Sequence, residues 1–205
     1  MRLIGMLDSP YVRRTAISLE VLGVHFTHEA VSVFSTFEKF QGLNPVVKAP
    51  TLVCEDGEVL MDSSLILQYI ESQHTRSLWS TDPKERQHDF RAVGLALAAC
   101  DKSVQIVYER NLRPKEAQYE PWMERVTGQL LAAYAGLEKE VEGNREAFAS
   151  VHNQAAITAA VAWQFTQSML AAVVPAARHP GLVELSARLE RTAEFRRYPP
   201  DGPGV

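Results

Sequence analysis

The stretch Asn44-Pro45-Val46-Val47-Lys48-Ala49-Pro50-Thr51-Leu52-Val53-Cys54-Glu55-Asp56-Gly57-Glu58-Val59-Leu60-Met61-Asp62-Ser63-Ser64 decides how the first part of the chain folds. Asn-Pro breaks whatever precedes it, because proline restricts its own φ and the backbone of its neighbour. Thr51 to Cys54 and Val59 to Met61 are short apolar runs on either side of Glu55-Asp56-Gly57-Glu58, and Asp-Gly between such runs signals a hairpin. Asp62-Ser63-Ser64 then caps a helix carried by Leu65, Ile66, Tyr69 and Ile70.

Upstream, Leu3 to Met6 is a short strand. Ser9-Pro10 follows as an N-cap with proline at the first helical position. Val12, Ala16, Leu19 and Leu22 share one face of that helix, and Gly23 ends it. His25 to Val31 alternates as a second strand, and Ser35 to Phe40 forms a short helix or turn. The order is β-α-β-α-β-β-α. The hairpin makes the sheet mixed, and the parallel pair needs the first helix as its crossover.

Downstream of Gln73 the apolar periodicity lapses, which places a linker over 75–83 between a first domain, 1–74, and a second, 84–205. Everything after the linker reads as helix. Asp82-Pro83 is another cap pair, opening a helix through Phe90, Val93, Leu97, Val104 and Tyr108 that stops before Pro114. Trp122, Val126, Leu130, Tyr134, Leu137 and Val141 form an amphipathic stripe with Trp122 and Tyr134 in the core. Ala155 to Val174 is so apolar that it belongs at the centre of a bundle. His179-Pro180-Gly181 starts a shorter helix through Leu182, Leu185 and Leu189. Pro199 to Val205 holds no regular structure and is expected to lie loose on the surface.

Composition narrows the function. A chain of 205 residues supports two small cores, and 46% hydrophobic with 22% charged residues is an ordinary globular balance. The net charge is −4 and Lys and Arg are scattered, which argues against a nucleic-acid partner. Cys54 and Cys100 read as buried free thiols; there is no Cys-x-x-Cys and no zinc spacing, so neither a dithiol redox centre nor a metal is expected. The six histidines show no pairing that suggests a base. The N-terminus does not read as a signal peptide, and no apolar run approaches the roughly 18 residues of a membrane span. A cytoplasmic protein with no membrane partner is the expectation.

Four elements belong together: Ser9-Pro10-Tyr11-Val12-Arg13 at a strand-to-helix turn, the Asn-Pro-x-x-Lys-x-Pro loop 44–50, the Asp-Gly hairpin, and Asp62-Ser63 at a helix start. In this order and spacing the chain resembles the glutathione transferase superfamily, closest to small bacterial members with a serine near the N-terminus. The resemblance covers both halves. It implies a thioredoxin-like first domain and an all-helical second one. It also implies a homodimer, with the first domain of one chain against the helical domain of the other. Glutathione is then the co-substrate, no separate cofactor is needed, and the second substrate is a small hydrophobic electrophile.

Each expected site residue also has a chemical reason and a plain alternative. Ser9 can donate to the glutathione thiolate, or only cap its helix. With a cis Ala49–Pro50 bond, which the resemblance implies, the backbone of Ala49 pairs with the extended cysteine unit as a strand would; a proline there is otherwise a trans turn residue. Lys48 can reach the glycine carboxylate, or be a solvated charge. Asp62 and Ser63 open a helix whose N–H groups attract the γ-glutamyl carboxylate, with Asp62 also available to its ammonium, or they are only a cap. The resemblance places Gln105 and Tyr108 on the helix that faces the glutathione sulfur. With Tyr11 they are the candidates for the second-substrate pocket.

Two departures from the family pattern stand out. The central helix of the second domain usually begins with a Ser/Thr-x-x-Asp box, but here the stretch is Val151-His152-Asn153-Gln154-Ala155-Ala156. Asn153 can still cap, while the reciprocal acid is missing. In addition, neither Tyr nor Cys stands at the thiol position.

Overall fold

The computed structural model describes residues 1–202. They form two compact units, one from Met1–Leu78 together with the segment that begins at Ala193, the other from Trp79–Thr192.

The first unit contains β1 (Arg2–Ile4), α1 (Pro10–Leu22), β2 (Thr27–Glu29), α2 (Phe37–Leu43), β3 (Thr51–Val53), β4 (Val59–Met61) and α3 (Ser63–Gln73). This is the βαβαββα order read from the sequence. The sheet order is β2-β1-β3-β4. β1 runs parallel to β2, with Leu3 beside His28, and antiparallel to β3, with Leu3 beside Leu52. β3 and β4 form the antiparallel hairpin. The strands are shorter than the apolar runs suggest. β1 stops at Ile4 because Gly5, at φ 141°, turns the chain out of the ladder.

α1 has the ends its sequence dictates: Ser9 at the N-cap, Pro10 in the first turn, and Gly23 in the left-handed conformation that closes it. Leu3, Ile4, Val12, Ala16, Leu52 and Ile66 are fully buried and form the centre of this unit.

The second unit contains α4 (Pro83–Leu112), α5 (Glu120–Gly143), α6 (Gln154–Leu170) and α7 (Pro180–Leu189). Most of α6 is buried, as its apolar composition requires. It ends earlier than expected, because the N–H groups of Val173 and Val174 both turn back to the Leu170 carbonyl. A polar chain runs through the core: the Tyr134 hydroxyl lies 2.9 Å from the Ala162 carbonyl and 2.6 Å from Thr166 Oγ1, which in turn lies 2.8 Å from Ser103 Oγ. Burial drives the Tyr134 pKa well above its ordinary value, and the neighbouring Cys100 adds to the shift. Trp122 corrects the sequence reading. It stands in the first turn of α5 and is 41% exposed, because the buried stripe only begins with Met123 and Val126.

The last helix, α8 (Ala193–Arg197), has no counterpart in the sequence reading and belongs to the first unit. The division therefore differs from the expected one. It falls after Leu78, inside the expected linker, and residues 193–202 leave the second domain for the first. Phe195 is fully buried beneath the Arg13 guanidinium, 5.4 Å from its ring centroid, and Arg13 Nε donates to the Tyr198 carbonyl at 2.8 Å. The Tyr198 ring stacks on Phe26 and its hydroxyl donates to Glu20. Pro199 and Pro200 are half-buried rather than loose, while residues 203–205 of that tail lie outside the described residues. Among the described residues no helix is long and apolar enough to cross a membrane.

Candidate functional site

The site is built where β1 hands over to α1. At Gly5 an added Cβ would lie 2.6 Å from Val12 Cγ2 and 3.2 Å from Ala49 Cβ. Only glycine lets the strand end, the first turn of α1 and the loop before β3 approach this closely. The Gly5 N–H donates to the Glu29 carbonyl, and its own carbonyl lies 2.7 Å from His28 Nε2. The corner is thus held from both sides.

Ser9 sits at this corner, half-buried, with its Oγ accepting from Val12 N at 3.5 Å. That is a long cap contact. It also uses only a lone pair of the hydroxyl, so capping leaves the O–H proton for another acceptor. The two readings of Ser9 are compatible in this geometry.

The loop that carries Lys48 and Ala49 is braced from inside. Asn44 Oδ1 accepts from Val46 N at 3.0 Å, and Asn44 Nδ2 donates to Thr51 Oγ1 at 2.8 Å. The Thr51 hydroxyl passes its own proton to the Lys48 carbonyl at 2.7 Å. Both residues are buried. Val47 and Ala49 pack against the buried Ile4, Val31 and Phe40. Val47 is held at φ 53°, unusual for a β-branched residue. The Ala49–Pro50 bond is cis, as the resemblance implies.

Asp62 is the N-cap of α3 and accepts from Ser64 N at 2.9 Å, again with positive φ, 71°. Two strained residues flanking one short segment are of the kind that gathers at binding sites. Lys48 Nζ lies 3.7 Å from Asp62 Oδ2. Two side chains expected at opposite ends of a tripeptide therefore meet here, and Lys48 reaches toward the α3 end. Ser63 is almost fully buried, and its Oγ accepts from the Arg14 guanidinium at 2.9 Å; Ser64 Oγ does so at 3.3 Å.

The structure thus brings Ala49, Lys48, Asp62 and Ser63 into one region of the first unit, and ties Ala49 to the start of α1 through Gly5. The sequence reading missed Gly5, Arg14 and the brace made by Asn44 and Thr51. Gly5 carried a legible signal, a glycine between a strand and a capped helix; Arg14 carried none, since its partners are about fifty residues away.

The remaining candidates are more scattered. Tyr11 is half-buried, and its carbonyl accepts from Thr15 Oγ1. On α4, Gln105 Nε2 donates to Asp101 Oδ2 at 3.0 Å, while its buried Oε1 has no hydrogen-bond partner among the described residues. Tyr108 is partly exposed on the same helix. Cys54 is half-buried rather than buried. Its thiol is pushed up by burial and then by Asp56 and Glu58, away from the reactive thiolate. Among the described residues, no His, Cys, Asp or Glu group could hold a metal ion.

Residues 3–78 match the glutathione S-transferase N-terminal domain family. The uncharacterised GST-like protein YibF of Escherichia coli is 31% identical over 121 residues, 58% of this chain, and the chain spans 59% of that relative's length. A glutathione S-transferase of Methylobacterium radiotolerans, solved in complex with glutathione sulfonate, superposes with a TM-score of 0.90 at 27% identity, covering 100% of this chain and 96% of that one. A glutathione transferase family member of Pseudomonas fluorescens, solved with bound glutathione, superposes with a TM-score of 0.84 at 27% identity over 98% and 99% of the two chains. With this match to the first unit and this likeness over the whole fold, the chain belongs to the glutathione transferase superfamily.

Proposed function

We propose that the protein binds glutathione in its first unit, stabilises the thiolate, and transfers it to a small hydrophobic electrophile. The observation that carries this reading is the corner at Gly5, which sets the backbone of Ala49 against the start of the helix capped by Ser9. The Ala49 backbone pairs with the cysteine unit of glutathione. The N-terminus of α3, with Asp62 and Ser63, takes the γ-glutamyl end, and Lys48 serves a carboxylate of the same ligand. Two relatives solved with glutathione or its sulfonate, at 27% identity over nearly whole chains, support the ligand.

Ser9 supplies the chemistry. A thiol of pKa about 8.5 is only about 3% thiolate at pH 7, and lowering that pKa by two units takes roughly 2.7 kcal/mol. A hydrogen bond to a charged group contributes about 1.5–3 kcal/mol and a helix N-terminus about 0.3–1 kcal/mol, so the Ser9 hydroxyl and the first turn of α1 are together sufficient. The reactive sulfur is the ligand's, in keeping with the raised pKa of Cys54. We place the protein in the cytoplasm, where glutathione is plentiful, and take it to be a homodimer; sedimentation at the mass of one chain would refute the dimer.

Retention on glutathione-agarose followed by a chlorodinitrobenzene conjugation assay tests the reading. Retention with glutathione-dependent turnover is expected. Retention without turnover would make the protein a binding or regulatory member of its superfamily, and loss of both would end the proposal.

A further inference from the structure

Gly5 opens the loop that leads to Ser9, and β2 grips it through both of its backbone groups. The Gly5 N–H donates to the Glu29 carbonyl at 3.1 Å, and the Gly5 carbonyl lies 2.7 Å from His28 Nε2. A carbonyl only accepts, so Nε2 carries the proton and the tautomer of His28 is fixed. His28 stands beside Leu3 in the parallel pair of β1 and β2, so its half-buried ring reaches forward past the end of β1. The held carbonyl belongs to the Gly5–Met6 peptide, whose planarity sets the direction in which the loop departs. One turn later Ser9 N donates to the Met6 carbonyl at 3.2 Å, and the Ser9 carbonyl accepts from Arg13 N at 3.0 Å to begin α1. Two hydrogen bonds, His28 to Gly5 and Ser9 to Met6, connect the edge strand of the sheet to the hydroxyl at the N-cap.

We propose that His28 is a positioning residue for Ser9. It acts as a donor, not as a base: it sets the loop between β1 and α1, and through that loop it aims the Ser9 hydroxyl at the sulfur of the bound thiol. The inference rests on the reading of Ser9 as the group that stabilises the thiolate. It is confined to that chemistry and does not extend to affinity. Ala49 and Lys48 sit on a loop with its own brace from Asn44 and Thr51, and Asp62 and Ser63 belong to the start of α3.

The test measures kcat and KM for glutathione in the chlorodinitrobenzene assay. The proteins are the wild type, His28→Leu, His28→Gln, His28→Asn, Ser9→Ala, and Ser9→Ala combined with His28→Leu. His28→Leu removes the donor and should lower kcat by about fivefold or more, with KM within about twofold, since a small displacement of a reacting group is enough. Glutamine can place an amide nitrogen where Nε2 stands, whereas asparagine reaches only as far as Nδ1. His28→Gln should therefore recover kcat to within about twofold of the wild type, and His28→Asn should not. In the Ser9→Ala background His28→Leu should lower kcat no further, because the group it positions has gone. Losses that multiply in the double variant, equal rates for the Gln and Asn variants, or a KM that rises as kcat falls would overturn the role. Should His28→Leu not fold, the Gln and Asn pair decides alone. A wild type without glutathione-dependent turnover would overturn the transferase reading and this role with it. Turnover in the wild type that no His28 variant alters would overturn this role alone.

Discussion

Asn153 Nδ2 donates to Asp89 Oδ1 at 2.9 Å, so an acid on α4 steadies the cap of α6, whose own first turn lacks the reciprocal acid. Asn153 Oδ1 caps that turn by accepting from Ala155 N and Ala156 N, so its amide works in both directions. Asp89 is itself 2% exposed, and its second oxygen accepts from Ser80 N at 2.8 Å. The acid comes from α4, 64 residues away in sequence, and holds the side-chain amide of the cap rather than the backbone N–H that a box within one helix would engage.

Asp89→Ala should therefore destabilise the second unit by about 3 kcal/mol, since it strands the buried Asn153 amide and the half-buried Ser80 N–H at once. Asp89→Asn should cost less, because one acceptor oxygen remains. Urea denaturation measures both, and an unshifted midpoint would show that the contact does not hold α6 in place. Affinity for glutathione in the folded protein should not change.

Ser9→Ala separates capping from catalysis. The 3.5 Å cap contact is long, so its loss should cost at most about 1 kcal/mol of stability. The thiolate of bound glutathione, followed by its absorbance near 240 nm, should titrate at higher pH, and kcat at neutral pH should fall by about 10-fold or more. Raising the pH should recover part of the rate, while KM for glutathione changes little. Superimposable titration curves would end the catalytic role, and a backbone N–H of the first turn would take its place.

Gly5→Ala should fail for a reason that can be partly reversed. The new methyl would sit 2.6 Å from Val12 Cγ2, at a φ of 141° that side chains seldom adopt. A loss of about 3 kcal/mol is expected, with weaker glutathione binding because Ala49 is pushed as well. Val12→Ala in the same chain relieves the clash but not the backbone strain, so the double variant should be more stable than the sum of the two single losses. Simple additivity in thermal denaturation would contradict the close approach.

The features legible in the sequence were those whose partners lie within one turn. Ser9-Pro10, Asp82-Pro83, Gly23 and the Asp-Gly hairpin each act on their immediate neighbours, and each stands where local chemistry puts it. The grouping of Ala49 with Asp62 and Ser63 came from resemblance, not from periodicity. Asn153 was legible as a cap, but its acid was not, because Asp89 looks like any residue on the polar side of a long helix. Arg13 Nε donates to a carbonyl 185 residues away, which no local pattern reveals. Nothing in the short run from Ala193 to Arg197 distinguishes a helix that docks from a tail that does not.

Tyr198 supplies a test by pH. Burial first, then its hydrogen bond to Glu20 and the Glu20 charge, push its hydroxyl up to about 12, with Arg197 opposing. The folded protein holds this proton more tightly than the unfolded chain, whose tyrosine titrates near 10. The stabilisation is therefore complete below pH 10 and lost between about pH 10 and 12. Wild-type Tm should fall more steeply across that window than the Tm of Tyr198→Phe, which starts lower at neutral pH for want of the Glu20 bond. Curves that stay parallel would mean the hydroxyl does not report on folding.

The return of residues 193–202 to the first unit reverses the order in which the two units can be finished during synthesis. When Leu78 leaves the ribosome, Arg13 is already made, but Phe195 and the Tyr198 carbonyl that cover it are not. The second unit is one uninterrupted stretch, 79–192, and has all its pieces before the first does. The unit that carries the candidate site is begun before the second and completed after it, so a nascent chain acquires this unit in full only once α8 has been made.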